Sequence, residues 1–366
     1  MNVELCTNNY YKLIHKMPSH FKLYNKTDIL SVTHVRKFET KLGEIVHCAK
    51  GNEIEHAIAT TPASYVVIGV PEDIGVKANN GLGGADSCWF PFLDSFLNIQ
   101  SNDFLSGEQI FVAGHFDFTR VKNLINANAS TNDEKMEAYR HAVNMIDDEV
   151  EEIVKIVTEY KKIPILIGGG HNNAYPAIKG SAKGLFKAEL LSLAQINCIN
   201  LDTHADYRPL EGRHSGNAFR YADEDGYLKK YCVVCIHENY LQQNTWMDMV
   251  NNPFIDCITY EDIFLREKRN FIQALSHATH YTDDEYTGIE LDLDSIENIL
   301  SSAMTPSGIT ALQARQYMNF VANASRVAYV HITEGATKLE NGETNNETGK
   351  LVSYLVSDFV KAHKNL

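Results

Sequence analysis

Six side chains able to hold divalent metal ions stand in three short motifs of this chain. They are His171 in Gly168-Gly169-Gly170-His171; Asp202, His204 and Asp206 in Asp202-Thr203-His204-Ala205-Asp206; and Asp292 and Asp294 in Asp292-Leu293-Asp294. Two imidazoles and four carboxylates suit a pair of hard divalent ions, not one structural zinc. The spacing carries geometry as well. Alternate residues of an extended segment point to one side, so Asp202, His204 and Asp206 can converge on one locus, and Asp292 and Asp294 repeat the arrangement. The Gly-Gly-Gly-His run is the weaker signal, because glycines also serve a plain strand-to-helix turn.

Each motif ends an apolar run that reads as a buried strand: Ile163 to Ile167, Ile196 to Leu201 and Thr287 to Leu291. Acids at the end of such a strand are costly unless they have partners. Further strands are expected over Tyr65 to Val70, Gln109 to Ala113, Cys232 to Ile236, Phe254 to Ile258 and Val327 to Ile332. Near-continuous hydrophobicity marks strands covered on both faces, as in a parallel sheet. Helical periodicity lies between them, over Asp133 to Tyr160 with a capped start at Thr131-Asn132-Asp133-Glu134, and over Tyr260 to Thr279, Thr310 to Ala324 and Lys350 to His363. Strands alternating with helices predict an α/β fold: three layers, α/β/α, around a mostly parallel sheet of about eight strands. In such a sheet ligands bind beyond the carboxyl ends of the strands, where all three motifs fall. Neither repeats nor a Pro/Gly-rich linker divide the chain. One catalytic domain is expected over residues 61–366, with residues 1–60 as an extension packed on it.

The 366 residues are 44% hydrophobic, enough for one large core. A formal net charge of −14 argues against nucleic acid as a partner, since the phosphate backbone needs clustered Lys and Arg. Seven cysteines, an odd number at irregular spacing, suit free thiols in a reducing compartment. Cys232 and Cys235 form a C-x-x-C inside an apolar strand, where buried core thiols are expected, not a redox or zinc site. Asn8, Asn9, Lys12 and His15 stand where a signal peptide would be apolar, and no run is long enough for a membrane span. A cytoplasmic protein without membrane contact is expected.

The motif series resembles the ureohydrolase family: arginase, agmatinase and formimidoylglutamase. The family's ligand pattern looks like G-G-x-H, then D-A-H-x-D, then D-x-D, in this order, and all six ligand types are present here. Gly69-Val70-Pro71-Glu72-Asp73-Ile74-Gly75-Val76, with the Gly-rich stretch through Gly84, looks like its first strand and following loop. Ser215-Gly216-Asn217 resembles its substrate loop, and His331-Ile332-Thr333-Glu334-Gly335 ends the last strand with an acid as the family does. The resemblance covers roughly residues 60–366. Thr203 replaces the usual Ala, Ser295-Ile296-Glu297 follows the D-x-D where many relatives reach a Pro, and the first 60 residues have no clear counterpart in arginase or agmatinase.

The resemblance implies an arginase-like fold, two Mn2+ per chain and a homo-oligomer. It implies that His171, Asp202, Asp206 and Asp292 hold one ion, that His204, Asp202, Asp292 and Asp294 hold the other, and that Asp202 and Asp292 bridge. Two close cations make hydroxide available at neutral pH. Asp206 would pass its proton to the departing nitrogen, and Glu334 would bind the cationic guanidinium or formimidoyl group. A shuttling role for His214 is a further expectation, although it stands one position out of frame with the family's H-G.

Arg208, Arg213 and Arg220 crowd one segment. Asp206-Tyr207-Arg208 and Ser215-Gly216-Asn217-Ala218-Phe219-Arg220 look like the D-x-R and S-G-T-P-F-R of formimidoylglutamases, with Asn217 in place of Thr, as in arginase. Arg208, Arg220, Ser215 and Asn217 are therefore expected to bind substrate, the arginines by gripping carboxylates. The expected activity is hydrolysis of a linear amidine C–N bond, N-formimidoyl-glutamate giving glutamate and formamide. Alternatives are a guanidino hydrolase of the arginase, agmatinase or guanidino-acid type, a single-metal zinc deacetylase of shared fold, and a non-catalytic metal-binding homologue. His237 and Glu238 could also line the pocket.

Overall fold

The eight apolar runs are strands, and a ninth strand joins them. In a computed structural model describing residues 20–363, one sheet runs in the order β1-β3-β2-β4-β9-β8-β5-β6-β7. The strands are β1 (Phe21–Leu23), β2 (Tyr65–Gly69), β3 (Ile110–Phe116), β4 (Ile163–Ile167), β5 (Ile196–Leu201), β6 (Leu228–Ile236), β7 (Ile255–Thr259), β8 (Thr287–Asp292) and β9 (Val327–Thr333). All neighbouring pairs are parallel except β1 with β3. Side-chain alternation splits the core in two. Val67, Ile165, Ile199 and Ile289 join Phe92, Tyr317 and Phe359 on one face; Val66, Leu166, Cys198 and Tyr329 join Val143, Ile146 and Ile178 on the other. Helices thus cover both faces of the sheet, which makes three layers.

The longest helix, Asn132–Glu159, starts at the Thr131/Glu134 capping box. The run Tyr260 to Thr279 is not one helix but two, Tyr260–Phe264 and Phe271–Tyr281. Asn270 accepts from the backbone of Gln273 and so starts a new helix, which local capping favours over continuation. Strand β1 was missed because three residues show no periodicity; its partner carries the signal. Gly114 sits at φ +135°, and a Cβ there would lie 1.9 Å from the Lys22 carbonyl, so the glycine admits the edge strand. Beyond β1, Ile29, Leu42, Ile54 and Ile58 send buried side chains into the two cores.

Cys232 and Cys235 are free and buried, and burial pushes both thiols up, away from reactivity. Cys6 and the Asn8–His15 stretch lie outside the described residues. Among the described residues no helix is long and apolar enough to cross a membrane.

Candidate metal centre and pocket

The strand order makes β4, β9, β8 and β5 consecutive neighbours, so their carboxyl ends bring His171, Glu334, Asp292/Asp294 and Asp202/His204/Asp206 to one locus. The glycine turn after β4 is sterically demanded. Gly168 and Gly169 have φ of +85° and +78°, and a Cβ on Gly169 would meet the Val70 carbonyl at 2.7 Å. The buried carboxylate of Glu72 braces this turn. Its Oε1 accepts from the Gly170 amide and from the side-chain amides of Asn172 and Asn173; its Oε2 accepts from the amides of Ile74 and Gly75. Glu72 was present in the sequence only as part of a resembling segment, because three of its five donors come from the distant turn at residues 170–173.

Among the described residues three clusters of possible ligands result: two hold the six predicted ligands, and one joins His171 to Glu290 and His331 inside the sheet. His171, Asp202, Asp206 and Asp292 offer atoms within 4.8 Å of one another, and so do Asp202, His204 and Asp294. His171 Nδ1 lies 2.8 Å from Asp206 Oδ2 and 3.1 Å from Oδ2 of both Asp202 and Asp292. His204 Nδ1 lies 3.1 Å from Asp294 Oδ2 and 3.6 Å from Asp202 Oδ1. Asp202 therefore faces one group with each oxygen. Asp292, expected as a second bridge, falls in the first group only.

The electrostatics fit cations at this place. Burial, followed by the charges of neighbouring acids, pushes Asp292 well above the carboxylate range and Asp206 upward too. Burial opposes charging His171, yet Asp202, Asp206 and Asp292 together raise it well above its ordinary value. His171 Nδ1, although ringed by carboxylates, makes no hydrogen bond. Buried acids that repel one another around a nitrogen without a hydrogen-bond partner are matched by added positive charge.

Above the centre opens a cavity of about 250 Å³, lined by His204, Asp206, Asp292, Asp294 and Glu334 at its floor. Glu334 and Asp206 hold left-handed backbone, φ +61° and +44°, a conformation uncommon for residues with a side chain. Glu334 Oε1 accepts the His171 amide at 2.8 Å and its Oε2 the Ser302 hydroxyl at 3.2 Å. Burial, with Asp294 and Asp206 adding and the His171 amide opposing, pushes its carboxyl up to about 8.

The predicted substrate residues divide. Arg208, Ser215 and Gly216 line the cavity. Arg208 donates through Nη1 to Asn79 Oδ1 at 2.9 Å, and its Nη2 lies 2.7 Å from Glu211 Oε1. Arg220 does not line it: its guanidinium lies over the Tyr207 ring and pairs with Glu224 and Asp248. Asn217 is also outside, its amide closed on Arg213, the His214 amide, Pro209 and Gly212. His214 corrects a third expectation. Its Nδ1 accepts the Gly216 amide and its Nε2 faces Glu211, so both nitrogens serve the loop, and the ring is wholly buried away from the cavity. Burial and the Arg208 charge lower it to about 4, which keeps it neutral. Arg213, between Asp147, Asn217 and the Asn172 carbonyl, is a buried brace. His237 stacks on Tyr240 and Tyr260, and Glu238 pairs with Arg266; neither lines this cavity.

Sequence reasoning missed Asn79, Tyr240, Gln242, Thr245 and Ser302 on the walls. Tyr240 stacks on the His204 ring, centroids 5.0 Å apart. Asn79, Gln242 and Ser302 lie outside helices and strands, Tyr240 ends a single 3-10 turn and Thr245 sits in the first turn of the helix Gln243–Asn251, so no apolar periodicity marks them as wall residues.

Comparison with known proteins agrees with this geometry. The chain is 26% identical over 228 residues to formimidoylglutamase of Corynebacterium efficiens, covering 59% of this chain and 66% of that one. It is 23% identical over 304 residues to formimidoylglutamase of Streptococcus pyogenes, covering 80% and 84%. Trypanosoma cruzi formiminoglutamase, solved with Mn2+, shares the fold at a TM-score of 0.65 and 20% identity, over 88% of this chain and 98% of that one. A model of the arginase family matches residues 63–360, the stretch that supplies every strand from β2 to β9 and both ligand groups. With four adjacent strand ends delivering these ligands in the family's order, the chain belongs to the arginase family.

Proposed function

We propose that the chain is a binuclear-manganese hydrolase of N-formimidoyl-glutamate, releasing glutamate and formamide. The observation that carries this reading is one cavity lined by an anionic and a cationic group: the Glu334 carboxyl together with the ligand groups, and the Arg208 guanidinium. The formimidoyl group is cationic and the rest of the substrate is a dicarboxylate. The cation complements Glu334, and a carboxylate complements Arg208, which Asn79 and Glu211 hold in place. The oxygen-rich ligand set and the Mn2+ bound by the Trypanosoma relative support manganese.

The chemistry that two divalent ions supply when bound is water activation near neutral pH. Glu334 orients the amidinium so that its carbon faces the ligand groups. Water adds to that carbon, and the carboxylate of Asp206 takes up the proton. Asp206 returns it to the glutamate nitrogen as the C–N bond breaks, leaving formamide. Ser302 and the His171 amide hold the Glu334 carboxylate still during this step.

A second reading, a guanidino-acid hydrolase, is favoured by one observation: Arg220 is engaged elsewhere, so a single arginine lines the cavity. Ser215, Gln242 and Thr245 are the groups left for the second carboxylate. Manganese-loaded protein assayed side by side on formimidoylglutamate, arginine, agmatine and guanidinobutyrate decides between the two. Preference for formimidoylglutamate is expected; preference for arginine or guanidinobutyrate overturns it in favour of the second reading, and preference for agmatine overturns both. The free thiols among the described residues support a cytoplasmic location, and the family resemblance supports a homo-oligomer. Residues 61–366 make up the catalytic domain, and the described part of the expected extension, residues 20–60, is built into it through β1 and the core side chains Ile29, Leu42, Ile54 and Ile58.

A further inference from the structure

Strands β8 and β9 place Glu290 and His331 in register on adjacent strands. An acid in the middle of a buried strand is expensive without partners, and Glu290 is fully buried. Its Oε1 accepts the Tyr329 hydroxyl at 2.6 Å, and its Oε2 lies 2.7 Å from His331 Nδ1. The same Oε2 lies 3.4 Å from His171 Nε2. The opposite nitrogen of that ring, Nδ1, is the one surrounded by Asp202, Asp206 and Asp292. No hydrogen bond in the structure occupies either nitrogen of His171.

A metal-binding histidine must offer a lone pair on one nitrogen and carry its proton on the other, and the group facing the second nitrogen sets which is which. Glu290 is an acceptor fixed from two other directions, so it favours the proton on Nε2 and the lone pair on Nδ1. We propose that Glu290, locked by His331 and Tyr329, is the positioning residue of the metal centre: it sets the tautomer and direction of His171, and so the affinity of one ion of the pair. The His331 ring, opposite Glu290 on the next strand, holds its Oε2 at 2.7 Å. This role rests on the two-manganese reading of the centre.

The test is Mn2+ titration of the full chain by calorimetry and by electron paramagnetic resonance, with the melting temperature of the metal-free protein measured in parallel. In Glu290→Gln, one of two ions is expected to weaken by about 10–100-fold, the range for lost outer partners of metal ligands. The other ion stays near its wild-type affinity. At limiting manganese the spectrum changes from a coupled pair to a mononuclear six-line signal. His331→Gln, which keeps a donor toward Glu290, shows a smaller loss at the same ion. Wild-type affinity for both ions in Glu290→Gln overturns the role. So does an equal loss at both ions with a lowered melting temperature, which marks core damage. Fewer than two ions in the wild type overturns instead the reading on which the role rests.

Discussion

The Thr203 hydroxyl donates to Asp294 Oδ1 at 3.0 Å and ties the middle of the second ligand motif to the end of the third. Thr203 departs from the Ala of the D-A-H-x-D pattern that the chain resembles, and its hydroxyl supplies a tie that an Ala could not. A hydrogen bond to a charged group contributes about 1.5–3 kcal/mol. Thr203→Val, which keeps the shape and loses the hydroxyl, should weaken the ion held by His204 and Asp294 by about tenfold or more. Retained wild-type affinity in a manganese titration would show that the tie is idle.

Arg208 and Arg220 should behave differently. Arg208→Ala should raise KM for formimidoylglutamate by at least about tenfold, because a carboxylate–arginine pair with one partner removed can cost on the order of several kcal/mol, discounted here because Arg208 is 37% exposed. Arg220→Ala should leave KM nearly unchanged, because its guanidinium is spent on Glu224 and Asp248. Steady-state kinetics of both variants check this; equal damage in both would mean that the helix carrying Arg220 turns toward the cavity in solution.

Asp206→Asn should lower kcat by about a hundredfold or more, the usual scale of lost general acid–base help. Asn tolerates the left-handed backbone that Asp206 adopts at φ +44°, so the loop should survive the change. Metal content of at least one ion per chain, together with lost turnover, is the expected pair of results. Near-normal turnover would remove Asp206 from proton transfer.

Manganese uptake should release protons. Asp292 and Asp206 lean toward their protonated forms and His171 toward its charged form in the absence of cations, and ligation requires all three to give protons up. Calorimetry in buffers of different ionisation heat measures the release. A chelator should also lower the melting temperature, since an ion at a hundredfold above its Kd stabilises by about 2.7 kcal/mol.

Acid should weaken the packing of β1 through His115. Burial, aided by the Lys22 charge, lowers this ring from 6.5 to about 4, against the pull of Asp117 and Asp28. The folded pKa is below the unfolded one, so the unfolded chain binds the proton first. The stabilisation is complete above pH 6.5 and is lost as pH falls toward 4. Urea midpoints of wild type and His115→Gln should therefore differ most in their slope across this window. Parallel slopes would show that His115 is solvated.

The metal ligands were legible because a buried strand that stops at acids and histidines is a local signal, and alternation says which of them share a side. Near-continuous apolar runs exposed eight of the nine strands of the described residues. Glu290 passed unnoticed inside the apolar run Thr287 to Leu291, because its partners come from elsewhere: His331 from the next strand and His171 from the turn after β4. What tertiary structure alone decided is which of equally spaced polar residues face the cavity. Arg208 and Arg220, His214 and Ser215, stand within one short segment, yet Arg220 turns to Asp248 and His214 closes on its own loop. The strand order β4-β9-β8-β5 is likewise invisible along the chain, although it is what gathers the ligands. The physical reason is the same throughout. Backbone geometry repeats over two to four residues and leaves a pattern in sequence, whereas a side chain between several charged neighbours is oriented by segments that meet it only after folding.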